Sequence, residues 1–277
     1  MVQIGKINRL LIKEIYENGI LLSGGEAGDV LLKSTPSGKR YLKDDTIDVF
    51  VYVDKQQQLM ATVHRPTVLV GECATLTVVS TSPAGAFLGW GLEDDLFVPK
   101  GEQQNSMRKG NAYVVYVYLS EKTHRITASS KLDKFLGRRL PEFKEGDKVD
   151  LLVYAHTDLG YSAVVNGSHI GVIYSNEVFQ KIAIGQRLEG YVKKIRDDLK
   201  IDLRLQPRGY QQVDDISQDI LETLKKNDGS VALSDKSPPE EIYTTFGVSK
   251  KTFKKAVGSL YKQKLIQISS DGIKLVS

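Results

Sequence analysis

The chain has 277 residues, 41% of them apolar and 26% charged, with 38 basic against 34 acidic residues for a net charge of +4. That length suits two to four domains, and the composition is that of a soluble globular protein, which sets aside disordered and fibrous classes. One cysteine, Cys73, excludes an intramolecular disulfide, and four scattered histidines (His64, His124, His156, His169) lack metal-ligand spacing, so neither a metal nor a cofactor is expected.

No apolar run approaches the roughly 18–20 residues that span a bilayer, and no basic-then-apolar leader opens the chain. A cytoplasmic location without a membrane partner is the expectation. Split at residues 65, 145 and 210, each of the four segments carries one more basic than acidic residue. Nucleic-acid affinity would therefore come from patterned faces and not from bulk charge.

Residues 1–65 read as a first barrel. Short apolar runs (Leu10 to Ile12, Ile20 to Leu22, Val30 to Leu32, Ile47 to Val53, Leu59 to Val63) alternate with the turn signals Asn18-Gly19, Gly24-Gly25, Pro36-Ser37-Gly38 and Asp44-Asp45. Residues 66–130 and 146–210 repeat one glycine and strand order at a period of about 75 residues: Gly71, Gly85, Gly110 and then Gly146, Gly160, Gly185. The stretch 1–65 has the same strand count with weaker motif glycines, and reads as a divergent third copy. Residues 131–145 read as a basic linker with one helical turn ended by Gly137. Pro207-Arg208-Gly209 breaks the β pattern.

After residue 210 the apolar period changes from two to about 3.6. Ile216, Ile220, Leu221 and Leu224 share one helical face, stopped near Asn227-Asp228-Gly229. Pro238-Pro239 opens a second helix and Gly247 closes it; Ser249 caps a third, which is expected to bury Phe253, Val257, Leu260 and Tyr261. Two strands, Leu265 to Ile268 and Ile273 to Val276, flank Ser269-Ser270-Asp271-Gly272. Three helices and a hairpin over 211–277 describe a winged helix.

The Gly85-Ala86-Phe87-Leu88 run, the Leu96 to Pro99 run, Gly110 and the closing Arg125-Ile126-Thr127-Ala128-Ser129 resemble the S1 RNA-binding domain of the OB-fold group. Three S1-like modules followed by a winged helix resemble the conserved virulence factor B family of Gram-positive bacteria, over the whole chain. The resemblance implies a mainly β, multidomain chain of three tandem S1-like OB-fold barrels and an α+β winged helix. It also implies RNA binding in a regulatory role without catalytic residues.

Strand alternation supplies candidate contacts independently. Burying Tyr113, Val115 and Val117 turns Val114, Tyr116 and Tyr118 outward; burying Leu188, Gly190 and Val192 exposes Tyr191 beside Lys193; the same counting exposes Tyr154. A base stacks on an exposed aromatic for about 1–3 kcal/mol. Outward tyrosines also serve cross-strand pairing, and Trp90 equally fits a core role. The S1 resemblance places an RNA-facing aromatic at Phe87; the third module has Ser162 there, with Tyr161 and Tyr174 nearby. The RNA-binding candidates are thus Phe87, Trp90, Tyr116, Tyr118, Tyr154, Tyr161, Tyr174, Tyr191 and Lys193.

The third helix carries Lys250, Lys251, Lys254 and Lys255 in its first two turns, with no acidic residue between Ser249 and Ile266. Lysines suit phosphates better than bidentate base readout, so backbone contact is expected over sequence-specific DNA recognition. A solvated face is the plain alternative. No phosphate loop, nucleophile elbow or histidine–cysteine pair appears, and the acidic pairs read as turn formers, so no enzyme is expected. The leading expectation is a regulator that grips single-stranded RNA. A DNA-binding transcription regulator and a scaffold docking on RNA polymerase or the ribosome are the competing readings.

Overall fold

Five short strands in each of three successive stretches curl into a barrel, because alternate residues along every strand are apolar and need one shared interior. A computed structural model describes residues 1–33, 40–178, 181–206, 213–269 and 272–276. The turn signals at Pro36-Ser37-Gly38, Pro207-Arg208-Gly209 and Ser270-Asp271 lie outside the described residues.

The first barrel contains β1 (Ile7–Tyr16), β2 (Gly19–Ser23), β3 (Asp29–Leu32), β4 (Thr46–Val53) and β5 (Leu59–Thr62), closed in the order β1-β2-β3-β5-β4. The β3–β5 ladder is parallel and the others are antiparallel. Leu10, Ile12, Ile20, Leu22, Val30 and Leu32 fill the interior. A register shift between Ile12 and Glu14 bends β1, so that one long strand pairs with β4 along its first half and β2 along its second.

The second barrel contains β6 (Cys73–Ser82), β7 (Gly85–Gly89), β8 (Leu96–Pro99), β9 (Ala112–Leu119) and β10 (Ile126–Ser129), in the order β10-β9-β6-β7-β8. The same bulge recurs between Val78 and Ser80. Here the edge strands β8 and β10 lie side by side without joining the ladder. The third barrel contains β11 (Lys148–Thr157), β12 (Gly160–Val165), β13 (His169–Tyr174), β14 (Arg187–Ile195) and β15 (Ile201–Arg204), closed as β11-β12-β13-β15-β14.

Two details repeat in every copy. The N–H groups of Gly5, Gly71 and Gly146 donate to Val51, Val117 and Val192 carbonyls at 2.7, 2.7 and 2.8 Å. At the start of the second strand, a Cβ on Gly19, Gly85 or Gly160 would lie 2.7, 2.2 or 2.1 Å from the carbonyl oxygen of Leu32, Val98 or Ile173. Only glycine lets the third strand cross that closely.

The described chain gathers into two compact units, Met1–Leu140 with Val164–Ile170, and Pro141–Ala163 with Gly171–Ser277. Within the first, barrels one and two share a seam. Phe50 of β4 is fully buried in the second barrel's core, with its ring centroid 5.8 Å from Trp90 in an edge-to-face arrangement.

The C-terminal domain contains α1 (Val213–Lys226), β16 (Ser230–Val231), α2 (Pro239–Phe246), α3 (Lys250–Lys262), β17 (Ile266–Ser269) and β18 (Gly272–Leu275), with sheet order β16-β18-β17. Gly247 ends α2 at φ 67°, and Ser249 caps α3 by accepting the Thr252 N–H at 3.1 Å. Phe246 stacks on Phe253 with centroids 5.2 Å apart. The buried stripe of α3 is Phe253, Ala256, Val257 and Leu260; Tyr261 falls beyond its edge and is 55% exposed, contrary to the sequence expectation. Among the described residues, no helix is long and apolar enough to cross a membrane.

Candidate nucleic-acid interface

On the second barrel, Phe87 faces Phe97 directly across the β7–β8 ladder, with ring centroids 5.1 Å apart and planes tilted by 41°. Both rings are half-buried on the outward side of their strands, where neighbours Ala86, Leu88, Leu96 and Val98 point inward. A Cβ on Gly85 would lie 2.8 Å from the Phe97 ring, so this glycine also seats the aromatic. Sequence reasoning singled out Phe87 and passed over Phe97; strand register was the signal that joins them.

Tyr116 and Tyr118 on β9 point outward as expected, yet neither offers a free platform. Phe135 stacks on Tyr116 with centroids 4.6 Å apart and planes within 17°, and lies 4.9 Å from Tyr118. Burial raises both phenolic pKa values, with the Glu102 charge adding to the rise at Tyr118. Val114, expected outward, is buried at 5% exposure.

The segment expected to be a linker causes this cover. Leu132 and Leu136 are buried, and a 3₁₀ turn over Leu132–Lys134 points Phe135 at the β9 face. Lys134 Nζ lies 2.6 Å from Glu102, which also accepts from Ser129 Oγ at 2.7 Å. Burial pushes the Glu102 carboxyl up, but the hydrogen bonds from Lys134 and Ser129 outweigh it and hold the group below its ordinary pKa.

Trp90, carried as a stacking candidate, is a core residue at 5% exposure; its indole N–H donates to the Asp94 carbonyl at 2.7 Å. Stacking a base on it would require the seam against Phe50 to open, so of the two roles the sequence offered for Trp90 the core role holds and the stacking candidate does not.

The third barrel sets its tyrosines beside nitrogen-bearing side chains. Tyr161 lies 4.6 Å from the His156 ring. The Tyr174 hydroxyl contacts both Arg196 and Asp202, and Arg196 Nε donates to Asp202 at 2.8 Å. Hydrogen bonding to Asp202 raises the guanidinium pKa further. Tyr191 pairs with Arg204 across β14–β15, and the buried Arg204 Nε has no hydrogen-bond partner among the described residues. Tyr154 is half-buried on β11. Lys193 is exposed but held 2.6 Å from Glu177. Leu188, expected inside, is only half-buried. Outward aromatics with Lys193 beside them mark this barrel in the sequence, and nothing there distinguishes His156, Arg196 or Arg204.

On α3, Lys254 lies 3.4 Å from Asp235, and Lys250 donates to the Lys236 carbonyl at 3.3 Å. Lys251 and Lys255 are exposed and have no ion-pair partner among the described residues. The acid that neutralises part of the cluster, Asp235, comes from the loop before α2 and not from the stretch Ser249 to Ile266.

These folds define a class: a multidomain protein assembled from S1-type and winged-helix nucleic-acid-binding domains. An S1 domain model matches residues 4–64 and 70–131, and a CvfB-like winged helix domain model matches residues 218–275. The chain belongs to the CvfB-like family, with S1 domains followed by the CvfB winged helix. The first barrel, read from sequence as the divergent copy, is among those the S1 model matches.

The chain is similar to conserved virulence factor B of Staphylococcus aureus, 23% identical with 98% of this chain and 94% of the relative covered. It is also similar to the Bacillus subtilis protein YitL, 26% identical over 88% of this chain and 84% of the relative. A solved multidomain protein with nucleic acid binding domains from Streptococcus pneumoniae aligns over 99% of this chain and 98% of its own, at 24% identity and a TM-score of 0.42.

Proposed function

We propose that the chain binds single-stranded RNA and acts in post-transcriptional control of gene expression. The observation that carries this reading is the cross-strand Phe87–Phe97 pair, two half-exposed rings on the outer face of an S1-type barrel. Aromatic faces accept any base by stacking, which suits unpaired RNA whose bases are free.

The third barrel adds Tyr191 beside Arg204 and Tyr174 beside Arg196, a combination of flat rings with fixed guanidinium groups that serves bases and phosphates together. Lys251 and Lys255 of α3 supply a sequence-independent phosphate contact. Titrating fluorescent single-stranded RNA at several salt concentrations tests the reading. Saturation with a log–log salt slope supports it; no salt-sensitive binding at about 1 μM protein, or a strong preference for one duplex DNA site, sinks it.

A further inference from the structure

The seam between the first two barrels opens into a cleft of about 390 Å³, within the range of small-ligand sites. One wall comes from barrel one, with Lys33 after β3, Tyr52 on β4 and Ala61 on β5; the other is the Trp90 to Asp94 loop of barrel two. That loop is preformed. Trp90 is buried against Phe50, its carbonyl accepts the Thr67 N–H at 2.7 Å, and its indole holds the Asp94 carbonyl at 2.7 Å.

The lining chemistry is mixed in an ordered way. Ala61 and Trp90 give an apolar floor, at 3% and 5% exposure. Tyr52 presents a half-buried ring whose hydroxyl has no hydrogen-bond partner among the described residues. Burial, together with the charges of Asp94, Asp54 and Glu93, raises the Tyr52 pKa, so the group stays a neutral hydroxyl. Glu93 has no ion-pair partner among the described residues, and Asp94 has only Lys55 at 3.9 Å, both side chains being exposed. Lys33, on the opposite wall, is likewise unpaired among the described residues.

Glu93 and Asp94 line the cleft, with Asp54 near the Tyr52 hydroxyl, so a run of phosphodiesters is a poor occupant even with Lys33 and His64 in the lining. A ligand that satisfies it carries donors for the carboxylates, a flat or slender body for the Tyr52 ring and one anionic group for Lys33. We propose that the cleft binds a small molecule with a planar two-donor edge that meets Glu93 and Asp94, and an anionic end that meets Lys33. Such an edge pairs with a carboxylate through two parallel N–H···O bonds. A guanidinium and the N1–H/N2–H edge of guanine share this chemistry, so free arginine and a guanine mononucleotide are its two sources.

Calorimetric titration of the full chain with L-arginine and with GMP distinguishes them, with agmatine (no anionic end) and AMP (no two-donor edge) as controls. One of the two ligands is expected to saturate with Kd at or below about 1 mM. Lys33→Ala, and Glu93→Gln with Asp94→Asn, are each expected to weaken it by about tenfold or more. These side chains are exposed, so the unfolding midpoint is expected to hold, and single-stranded RNA titration of the same variants is expected to be unchanged. The proposal is overturned if neither ligand binds at about 1 mM, if the controls bind equally well, if binding ignores the substitutions, or if the substitutions weaken RNA instead.

Discussion

Phe135 lies flat on Tyr116, ring centroids 4.6 Å apart and planes 17° from parallel, and covers the outward face of that tyrosine. The cover comes from the chain itself, six residues after the second barrel's last strand ends at Ser129. Phe135→Ala is expected to cost about 1–3 kcal/mol, less than a fully buried phenylalanine because this ring is half-exposed. Urea unfolding followed by tyrosine fluorescence measures it. RNA affinity is expected to hold or rise, since the substitution uncovers Tyr116; a large loss of RNA binding would make Phe135 itself a contact.

The Phe87–Phe97 pair calls for a double-mutant cycle. Each alanine substitution is expected to weaken single-stranded RNA by about 1–3 kcal/mol. Touching rings share one base stack, so the double variant is expected to lose less than the sum of the two. Affinity unchanged in both single variants would move recognition to the third barrel, where Tyr191 and Arg204 face one another.

Gly85 and Gly160 sit where a neighbouring carbonyl leaves no space for a methyl group, 2.2 and 2.1 Å from the built Cβ. Gly85→Ala or Gly160→Ala is expected to destabilise its barrel by at least about 2 kcal/mol, because backbone must shift. Gly101→Ala, whose Cβ meets nothing within 4 Å, is the matched control. Thermal unfolding of the three variants checks this.

Barrel strands, the glycines at strand crossings and the caps of α2 and α3 were legible because each follows from local spacing. Period-two alternation placed Val115, Val117 and Val192 inside, and Ser249 ahead of the 3.6-period apolar run marked a helix start. Contacts that depend on distant segments were not legible. Residues 131–137 carry charge at Lys131, Asp133 and Lys134, which reads as a solvated linker; only the folded face of β9 reveals that Leu132, Phe135 and Leu136 have somewhere to pack. Phe50 was hidden for the same reason. It lies in the run Ile47 to Val53, apolar but for Asp48, and its ring belongs to the neighbouring barrel's core. Arg204 beside Tyr191 became visible only through the β14–β15 register, and Arg196 beside Tyr174 only through their shared contact with Asp202.

Glu102 gives a pH signature. Its folded pKa lies below the ordinary value of 4.5, because Lys134 and Ser129 stabilise the carboxylate more than burial opposes it. The stabilisation is therefore fully present above the unfolded pKa and is lost as pH falls through the lowered folded value. Glu102→Gln removes it, so the stability gap between the parent and variant proteins is expected to be flat above about pH 5 and to narrow below about pH 4.5. A gap that widens on acidification would contradict the ion pair with Lys134.

The lysines of α3 divide into two kinds, and their replacement is expected to separate them. Lys254 already faces Asp235 at 3.4 Å, whereas Lys251 and Lys255 have no ion-pair partner among the described residues. Each phosphate contact releases counterions, so removing one lowers the salt slope by about one unit without altering sequence preference. Lys251→Ala and Lys255→Ala are expected to show that reduction with unchanged preference among RNA sequences. Lys254→Ala is expected to change the slope less, since its charge is partly offset, and to leave Asp235 as a new repulsive charge that weakens binding modestly at low salt. RNA titrations from low to high salt on the three variants read both quantities. Equal slopes in all of them would leave the lysine face solvated and place the whole electrostatic contact on the barrels.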